Sequence, residues 1–165
     1  CKDTSKDPKD EFYKVAIKKV RNAFEDLIDA KRILREIKLL KFFNHENIVT
    51  LLDIPKPPGK TGYEDIYFIT DLMGTDLHRV IYSKQELTDE YIQFFVYQIG
   101  RGVLYMHPAN VVHRDLKPSN SLSNADCHIK ICDLGLGRGG MPECNDDLDK
   151  KNAELNHEEN VPLTT

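Results

Sequence analysis

The stretch His113–Asn120 reads H-R-D-L-K-P-S-N, and thirteen residues after it comes a D-L-G triplet that begins at Asp133. Asp115 can accept the proton of an incoming hydroxyl group, and Lys117 can neutralise the charge of a phosphoryl group in transit. Asn120 and Asp133 offer the oxygen ligands that Mg²⁺ prefers when it bridges phosphates. Any one of these residues is also typical of an ordinary turn. The ordered set predicts phosphoryl-transfer chemistry.

A candidate ion pair lies much earlier in the chain and consists of Lys18 and Glu36. Glu36 lies between Ile33 and Leu40 at helical spacing, at the edge of an apolar face where burial without a partner would be costly. The nearest cation on the preceding predicted strand is Lys18, in the string V-A-I-K, and a lysine held by a glutamate can grip nucleotide phosphates. An ordinary surface glutamate among basic neighbours explains these two residues equally well. The downstream motifs favour the ion pair.

Hydrophobic periodicity predicts an α+β fold. The first part would be a small antiparallel sheet with one helix, and a long helix and two short strands would follow. In chain order the predicted elements are Phe12–Val20, Asp29–Lys41, Ile48–Ile54, Asp65–Thr70, a helix from the N-cap Thr88 to Met106, Val111–Val112 and His128–Cys132.

Composition indicates one globular domain and argues against several classes of protein. The chain has 165 residues, a mass of 19.0 kDa and a net charge of −4. Its charges nearly balance before the acidic C-terminal stretch, and no apolar run is long enough to span a bilayer, so we expect neither nucleic acid nor a membrane as a partner. The four cysteines, which show no C-x-x-C spacing, are Cys1, Cys127, Cys132 and Cys144. This pattern favours a reducing compartment, so we expect the protein in the cytoplasm and also in the nucleus.

The C-terminal stretch Gly139–Thr165 is too polar to pack as an element of its own. It carries seven acidic side chains against two lysines, which predicts a mobile loop. The chain begins at a cysteine and stops without a closing element, so we expect it to be an internal piece of a longer protein.

A glycine pattern offers a competing interpretation. Gly135, Gly137 and Gly140 satisfy G-x-G-x-x-G directly after a predicted strand, which is the fingerprint of a dinucleotide-binding turn. That turn must open a helix whose N-terminus meets the pyrophosphate, whereas Met141, Pro142 and an acidic stretch follow here. A lone glycine pattern is a weak signal, and we expect a coil there.

Taken together and in this order, the motifs resemble those of eukaryotic protein kinases, and finer strings resemble the mitogen-activated protein kinase family. The similarity runs from Phe12 to about Arg138, and the lysine in H-R-D-L-K-P-S-N is typical of serine/threonine kinases. The finer strings are V-A-I-K-K-V at Val15, L-R-E-I-K-L-L at Leu34, H-E-N-I-V at His45, D-L-M-G-T-D-L-H-R at Asp71 and I-K-I-C-D-L-G-L-G-R at Ile129.

The resemblance implies an ATP- and Mg²⁺-dependent kinase that phosphorylates serine or threonine on protein substrates and is switched on by an upstream activating kinase. It implies a fold of two lobes: a partial small lobe over residues 1–70, a hinge at 71–74, the first part of a mainly helical large lobe over 75–138, and an activation-loop segment over 139–165.

The resemblance also assigns roles to residues around the nucleotide. Thr70 would be the gatekeeper beside the adenine, and the backbone of Asp71 to Met73 would hydrogen-bond the base. Ala16 and Leu122 would sandwich the adenine ring, and the remaining predicted contacts are those of Asp76 with the ribose and of Lys18, held by Glu36, with the phosphates.

Regulatory residues follow by the same route. Arg114 and Arg138 are similar to arginines that receive an activation-loop phosphate, where charge-assisted hydrogen bonds can order a loop. Thr164 or Thr165 would carry that phosphate.

The chain departs from the family pattern at several points. No glycine-rich loop precedes V-A-I-K, Leu134 replaces the phenylalanine of D-F-G, Gly137 replaces an alanine, and Ser121 replaces an apolar residue below the adenine. A pseudokinase or kinase-derived binding module is therefore the alternative function. We expect the chain by itself to have little or no activity.

Overall fold

A computed structural model describes residues 14–56 and 64–139 of the chain. This part contains three α-helices, eight strands and two short 3₁₀ turns. The helices are α1 (Leu27–Phe42), α2 (Leu77–Ile81) and α3 (Asp89–Met106), and the strands are β1 (Val15–Val20), β2 (Leu51–Asp53), β3 (Ile66–Asp71), β4 (Thr75–Asp76), β5 (Val111–Val112), β6 (Ser121–Ser123), β7 (Ile129–Ile131) and β8 (Arg138–Gly139).

The small antiparallel sheet has the order β1-β3-β2. Strand β1 runs against β3 in a continuous register from the pair Val15–Asp71 to the pair Val20–Ile66. The predicted strand Phe12–Val20 is confirmed from Val15 onward, and its first two residues lie outside the described part. The predicted strand Asp65–Thr70 is confirmed with a shift of one residue toward the hinge.

Helix α1 covers the predicted helix Asp29–Lys41 and begins two residues earlier. The Asp26 carboxylate accepts a hydrogen bond from the Ile28 N–H at 2.6 Å, which satisfies one of the free donors of the first turn. Leu39 and Leu40 bury the inner face of the helix, so α1 is fixed by packing as well as by its cap.

The prediction of one strand over Ile48–Ile54 is wrong in its first half, because only Leu51–Asp53 pairs with the small sheet. The backbone before it pairs with β7 instead: Val49 N–H donates to the Ile131 carbonyl, and Ile131 N–H donates to the Asn47 carbonyl, both at 2.9 Å. This segment therefore joins the small sheet to the second sheet. The hydrophobic pattern of a segment does not reveal which strand its backbone will pair with.

The second sheet has the order β4-β6-β7, and a separate pair joins β5 to β8. Helix α3 begins after Thr88, as predicted, although the threonine side chain makes no cap hydrogen bond. The strand predicted over His128–Cys132 is one residue shorter at each end. The sequence pattern missed β4, α2, β6 and β8, which are all five residues or fewer.

The acidic loop prediction needs one correction. Gly139 pairs with Val111 in the strand pair β5–β8, so it belongs to a strand. A Cβ at Gly139 would lie 2.4 Å from the Asn110 carbonyl oxygen, which explains why only glycine fits this close approach. Residues 140–165, the rest of the predicted loop, lie outside the described part.

The main core crosses from the small sheet to the second sheet. Its members come from α1, the segment after it, β3, α3, β5, β7 and the D-L-G triplet, and they are Leu39, Leu40, Phe43, Ile48, Val49, Phe68, Met106, Val111, Ile131 and Leu134. No helix in the described residues is long and apolar enough to cross a membrane.

Two glycines in α3 lead to opposite predictions for an added methyl group. A Cβ added to Gly100 would meet no atom within 4 Å beyond the backbone of its own helix, so Gly100→Ala should stabilise the chain by about 1 kcal/mol through helix propensity. A Cβ on Gly102 would lie 2.8 Å from Ile131 Cδ1 and 3.2 Å from the Asn47 carbonyl oxygen. Gly102→Ala should destabilise by roughly 1–3 kcal/mol. Urea unfolding would measure both, and equal stability of the two variants would contradict the described packing.

Candidate active site

The residues predicted to contact the adenosine lie on two sheet faces joined by the hinge. Ala16 is directly opposite Thr70 in the pair β1–β3, so the two side chains share a face. On the second sheet Leu122 is opposite Asp76 on one side and Lys130 on the other. Residues 71–74, where the hinge is predicted, connect these two faces along the chain.

The predicted ion pair between Lys18 and Glu36 is present. The Lys18 ammonium donates to both carboxylate oxygens of Glu36, at 2.8 and 3.1 Å. Glu36 is buried, whereas the Lys18 side chain stays half exposed. The glutamate thus fixes the ammonium of a lysine whose side chain is still half exposed, and such a lysine can contact a phosphate.

The loop His113–Asn120 arranges its polar side chains around Asp115. Lys117 Nζ lies 2.7 Å from Asp115 Oδ2, and Asn120 Nδ2 donates to Asp115 Oδ2 at 3.0 Å and to its backbone carbonyl at 2.8 Å. Both partners of the Asn120 amide can only accept, so its nitrogen must face Asp115. The Asn120 amide oxygen is left to face the opposite way.

The ionisation of Asp115 follows from these contacts. The hydrogen bond from Lys117 lowers the pKa of Asp115 below its usual value. Burial opposes this with a smaller effect, and the hydrogen bond from Asn120 acts in the same direction as the lysine. The contact with Asp115 also raises the pKa of Lys117. The pair is therefore a carboxylate and an ammonium at neutral pH.

His113 fastens the loop to the strand that leads to Asp133. The Asp115 N–H donates to His113 Nδ1 at 3.3 Å, so the proton of the neutral ring is on Nε2, which lies 3.0 Å from the Cys132 carbonyl. A second link is the hydrogen bond from Cys132 N–H to the Asn120 carbonyl at 2.9 Å. The sequence indicated no role for His113, although this residue is the first of the stretch His113–Asn120 and is buried in the structure.

The donor set fits a hard divalent cation. Asp133 has a φ of 62°, a left-handed conformation that is uncommon for a residue with a side chain, and its side chain is exposed at the end of the strand. The free amide oxygen of Asn120 and the Asp133 carboxylate are the ligand types that Mg²⁺ prefers. These two residues could hold the cation, and Lys18 could hold the phosphates attached to it.

The Cys132 thiol lies within the electrostatic field of several of these groups. Burial raises the pKa of Cys132 to about 12, and Asp133, Lys18, Glu36 and Asp76 also act on it. The partly buried Cys132 thiol is therefore close to charged groups of β1, α1, β4 and the D-L-G triplet. The fold has brought these residues together from separate parts of the chain.

Two contacts at the site involve residues that the sequence did not single out. The Arg35 guanidinium donates to the Gly135 carbonyl at 3.3 Å, which links α1 to the D-L-G triplet. Lys130 Nζ lies 2.5 Å from Asp71 Oδ2, which links the hinge to β7. In β7 Lys130 lies between the buried residues Ile129 and Ile131. This alternation indicates only that the Lys130 side chain points to the other face of the sheet, and it does not identify the partner of the lysine. Its partner is 59 residues away.

Asp76 and the regulatory residues stay predictions. The Asp76 carboxylate caps α2 by accepting from the Arg79 N–H at 2.9 Å, so this side chain already has a structural task. Arg114 and Arg138 are exposed, and Arg138 lies opposite Val112 in the pair β5–β8. Thr164 and Thr165 lie outside the described residues.

Two of the departures from the family pattern, Ser121 and Leu134, fit their surroundings. Ser121 is buried, and its hydroxyl donates to the Lys117 carbonyl at 3.4 Å, so it has a partner. Leu134 is fully buried in the main core. The dinucleotide interpretation of the glycine pattern requires a helix after Gly140, and the coil expected there lies outside the described residues. Within them, Arg138–Gly139 forms a strand and not the first turn of a helix, which does not favour that interpretation.

A separate open groove of about 540 Å³ lies between α2, the start of α3 and the turn between β6 and β7. It has an apolar wall formed by Val80, Leu87, Tyr91, Phe95 and Cys127. Gly74, the last residue of the predicted hinge, also lines it, whereas none of the side chains predicted to contact the nucleotide or the metal does.

The pKa of Asp115 provides a test of the loop geometry. Lys117→Met should raise the pKa of Asp115 toward the value of about 3.9 found in model peptides, because the ammonium that stabilises the carboxylate is gone. Carboxyl NMR titration would measure the change. Lys84→Met, at an exposed lysine that does not act on Asp115, is the control. An unchanged pKa in Lys117→Met would contradict the contact.

The raised pKa of Cys132 predicts that its thiol is alkylated slowly. At about pH 8 only ~10⁻⁴ of a thiol with this pKa is ionised, so iodoacetamide should modify Cys132 at least ~10²-fold more slowly in the folded chain than in urea. Peptide mass spectrometry would follow this residue separately from the other cysteines. Equal rates in both states would show that the thiol is not buried as described.

Comparison with known proteins places this geometry in a family. The family model of the protein kinase domain matches residues 6–149. The chain is 56% identical over 138 residues to "Mitogen-activated protein kinase homolog NTF6" of Nicotiana tabacum, covering 84% of this chain and 36% of that protein. It is 57% identical over 124 residues to "Mitogen-activated protein kinase 4" of Arabidopsis thaliana, covering 75% of this chain and 33% of that protein.

A relative outside plants gives the same result. Identity to "Extracellular signal-regulated kinase 1" of Dictyostelium discoideum is 58% over 125 residues, covering 76% of this chain and 24% of that protein. The chain thus spans about a third or less of the length of these curated relatives. Its motifs and these matches agree: the chain belongs to the protein kinase family, and within it to the mitogen-activated protein kinases.

Proposed function

We propose that this chain carries the nucleotide-binding and phosphoryl-transfer residues of a mitogen-activated-type serine/threonine protein kinase. The observation that carries the proposal is the closeness of Asp133 to two ion pairs, Lys18 with Glu36 and Lys117 with Asp115. A Cβ added to Gly135 would lie 3.5 Å from Asp133 Oδ1 and 4.0 Å from Glu36 Oε2. On the other side, Asp115 and Asp133 both raise the pKa of Lys117.

Each residue has a task that follows from its surroundings. Lys18 holds the α and β phosphates of ATP, because Glu36 fixes its ammonium while leaving it accessible. Asn120 and Asp133 hold Mg²⁺, which supplies charge neutralisation at the phosphates when it is bound. Leu122, Ala16, Thr70 and the hinge backbone hold the adenine.

Asp115 acts on the hydroxyl of the protein substrate. Its carboxylate is ionised at neutral pH because its pKa is lowered, so it can accept a hydrogen bond from the hydroxyl and orient the oxygen for attack. A carboxylate with a low pKa is a weak base. It therefore takes the proton late, once the hydroxyl oxygen has begun to bond to phosphorus and has become acidic.

Lys117 has a task linked to that of Asp115. Its ammonium lies beside the carboxylate and keeps it ionised, and it is a cation that can interact with the transferred phosphoryl group. Asn120 holds the same carboxylate from a second direction, so the two contacts fix the orientation of Asp115.

The finer parts of the proposal concern partners and regulation. The substrates would be serine and threonine hydroxyls of proteins, and an upstream kinase would phosphorylate Thr164 or Thr165. That phosphate would bind Arg114 and Arg138, both of which have exposed side chains. The cytoplasm and the nucleus are the proposed compartments. The hydrogen bond from the buried Ser121 hydroxyl to the Lys117 carbonyl removes one reason for a pseudokinase.

Nucleotide binding tests the proposal directly on this chain. Calorimetric titration should show Mg-ATP binding, and Lys18→Met should weaken it at least ~10-fold because the phosphate contact is lost. Lys19→Met is the matched control: it changes the next residue of β1, a lysine that pairs with Asp65 at 2.6 Å. Equal effects of the two substitutions, or no binding by the unchanged chain, would refute the assignment.

Phosphoryl transfer tests the role of Asp115 separately. In a version of the chain extended at both ends, Asp115→Asn should leave Mg-ATP binding within about twofold but lower transfer to a protein hydroxyl at least ~10²-fold, because the group that accepts the proton is gone. Transfer of radiolabelled phosphate would measure this. A rate that stays within tenfold would exclude Asp115 as the base.

A further inference from the structure

We propose that Lys130 and Asp71 are positioning residues that hold the hinge against the hairpin β6–β7 and thereby set nucleotide affinity. The effect on affinity rests on the proposed function, whereas the effect on the hinge does not. Neither side chain was assigned a task by the sequence, which pointed only to the backbone of Asp71.

The Asp71 carboxylate is buried and uses both oxygens. Oδ2 lies 2.5 Å from the Lys130 ammonium, and Oδ1 accepts from the Thr50 N–H at 3.0 Å. The side chains of Asp71 and Lys130 are only 9% and 16% exposed, respectively. One carboxylate at the end of β3 therefore connects the segment before β2 with strand β7.

The far end of the hinge is attached to the same hairpin. Gly74 N–H donates at 2.9 Å to the side-chain oxygen of Asn124, which directly follows β6. The short span between Asp71 and Gly74 is thus held at both ends by β6–β7, and only Leu72 and Met73 lie between the attachments. This span is the backbone that the adenine would contact.

The ion pair also lies beside the predicted floor of the adenine site. Lys130 is directly opposite Leu122 in the antiparallel pair β6–β7, so both side chains leave the sheet on the same face. A displacement of the hinge from Lys130 would change the separation between the hinge backbone and Leu122. The hinge backbone would hydrogen-bond the edge of the adenine ring, and Leu122 would pack against its face, so both must keep a fixed separation.

The nature of the contact favours a positioning task over a contribution to stability. A buried ion pair gains little net free energy over apolar side chains of similar size, because both charges lose their hydration. It does fix geometry, since a displaced partner leaves a buried charge without compensation. The long lysine side chain, held along the sheet, sets one distance between hinge and hairpin.

Amide hydrogen exchange tests the positioning. Lys130→Met should raise exchange at the amides of Asp71 and Gly74, which donate to the Thr50 carbonyl and to the Asn124 side chain, at least ~10-fold while α3 amides keep their protection. Lys130→Arg should retain most of the protection because it keeps the charge. Lys19→Met, which removes the exposed ion pair with Asp65 in the same small sheet, is the control. Unchanged hinge exchange in Lys130→Met, or an equal rise in α3, would overturn the proposal.

A double substitution separates positioning from folding. Lys130→Met leaves the buried carboxylate of Asp71 without its cation. Adding Asp71→Asn in the same chain removes this charge and keeps a side-chain oxygen that can accept from the Thr50 N–H. The double variant should regain thermal stability but not hinge protection, and recovery of both would overturn the proposal. If Lys130→Met does not fold, the comparison of the double variant with the unchanged chain gives the same decision.

Adenosine affinity tests the functional part. The double variant should bind adenosine at least ~10-fold more weakly than the unchanged chain, because the hinge no longer keeps its distance from Leu122. Equal affinity would overturn the link to nucleotide binding. If the unchanged chain binds neither adenosine nor Mg-ATP, the proposed function fails, and the exchange experiment still decides whether the ion pair holds the hinge.

Discussion

The backbone pairing between the segment Asn47–Val49 and Ile131 is the interaction on which the rest of the structure depends. Two hydrogen bonds of 2.9 Å join the chain just after α1 to strand β7. Helix α1 carries Glu36, and β7 leads directly to Asp133. The pairing therefore fixes the part of the molecule that holds Lys18 relative to the part that holds the metal ligands, and the main core packs around it.

The site is built from buried polar groups that find partners within the fold. Glu36, His113, Asn120 and Asp71 are all buried, and each is held by a hydrogen bond or ion pair to another part of the site. An unpaired polar group would be costly at such positions, so the native arrangement is strongly preferred over alternatives. The exposed groups, the Lys18 ammonium and the Asp133 carboxylate, are the ones left to meet a ligand.

Much of this was predictable, for identifiable reasons. Long elements with clear periodicity, α1 and α3, were predicted to within two residues because burial imposes a 3.6-residue repeat over many positions. The Lys18–Glu36 pair followed from a carboxylate on an apolar face. The short elements β4, α2, β6 and β8 escaped prediction because they are too short to show a period, and tertiary hydrogen bonds define them.

The order and spacing of Lys18, Glu36, Asp115, Asn120 and Asp133 along the chain indicate phosphoryl transfer before any geometry is known, because each side chain has an intrinsic charge and ligand preference. Which groups neutralise one another follows from the folded arrangement alone. Lys130 meets Asp71, and the Asp115 N–H meets His113, which in turn reaches Cys132. Such pairs depend on how distant strands align, and a linear pattern of residue types does not contain that alignment.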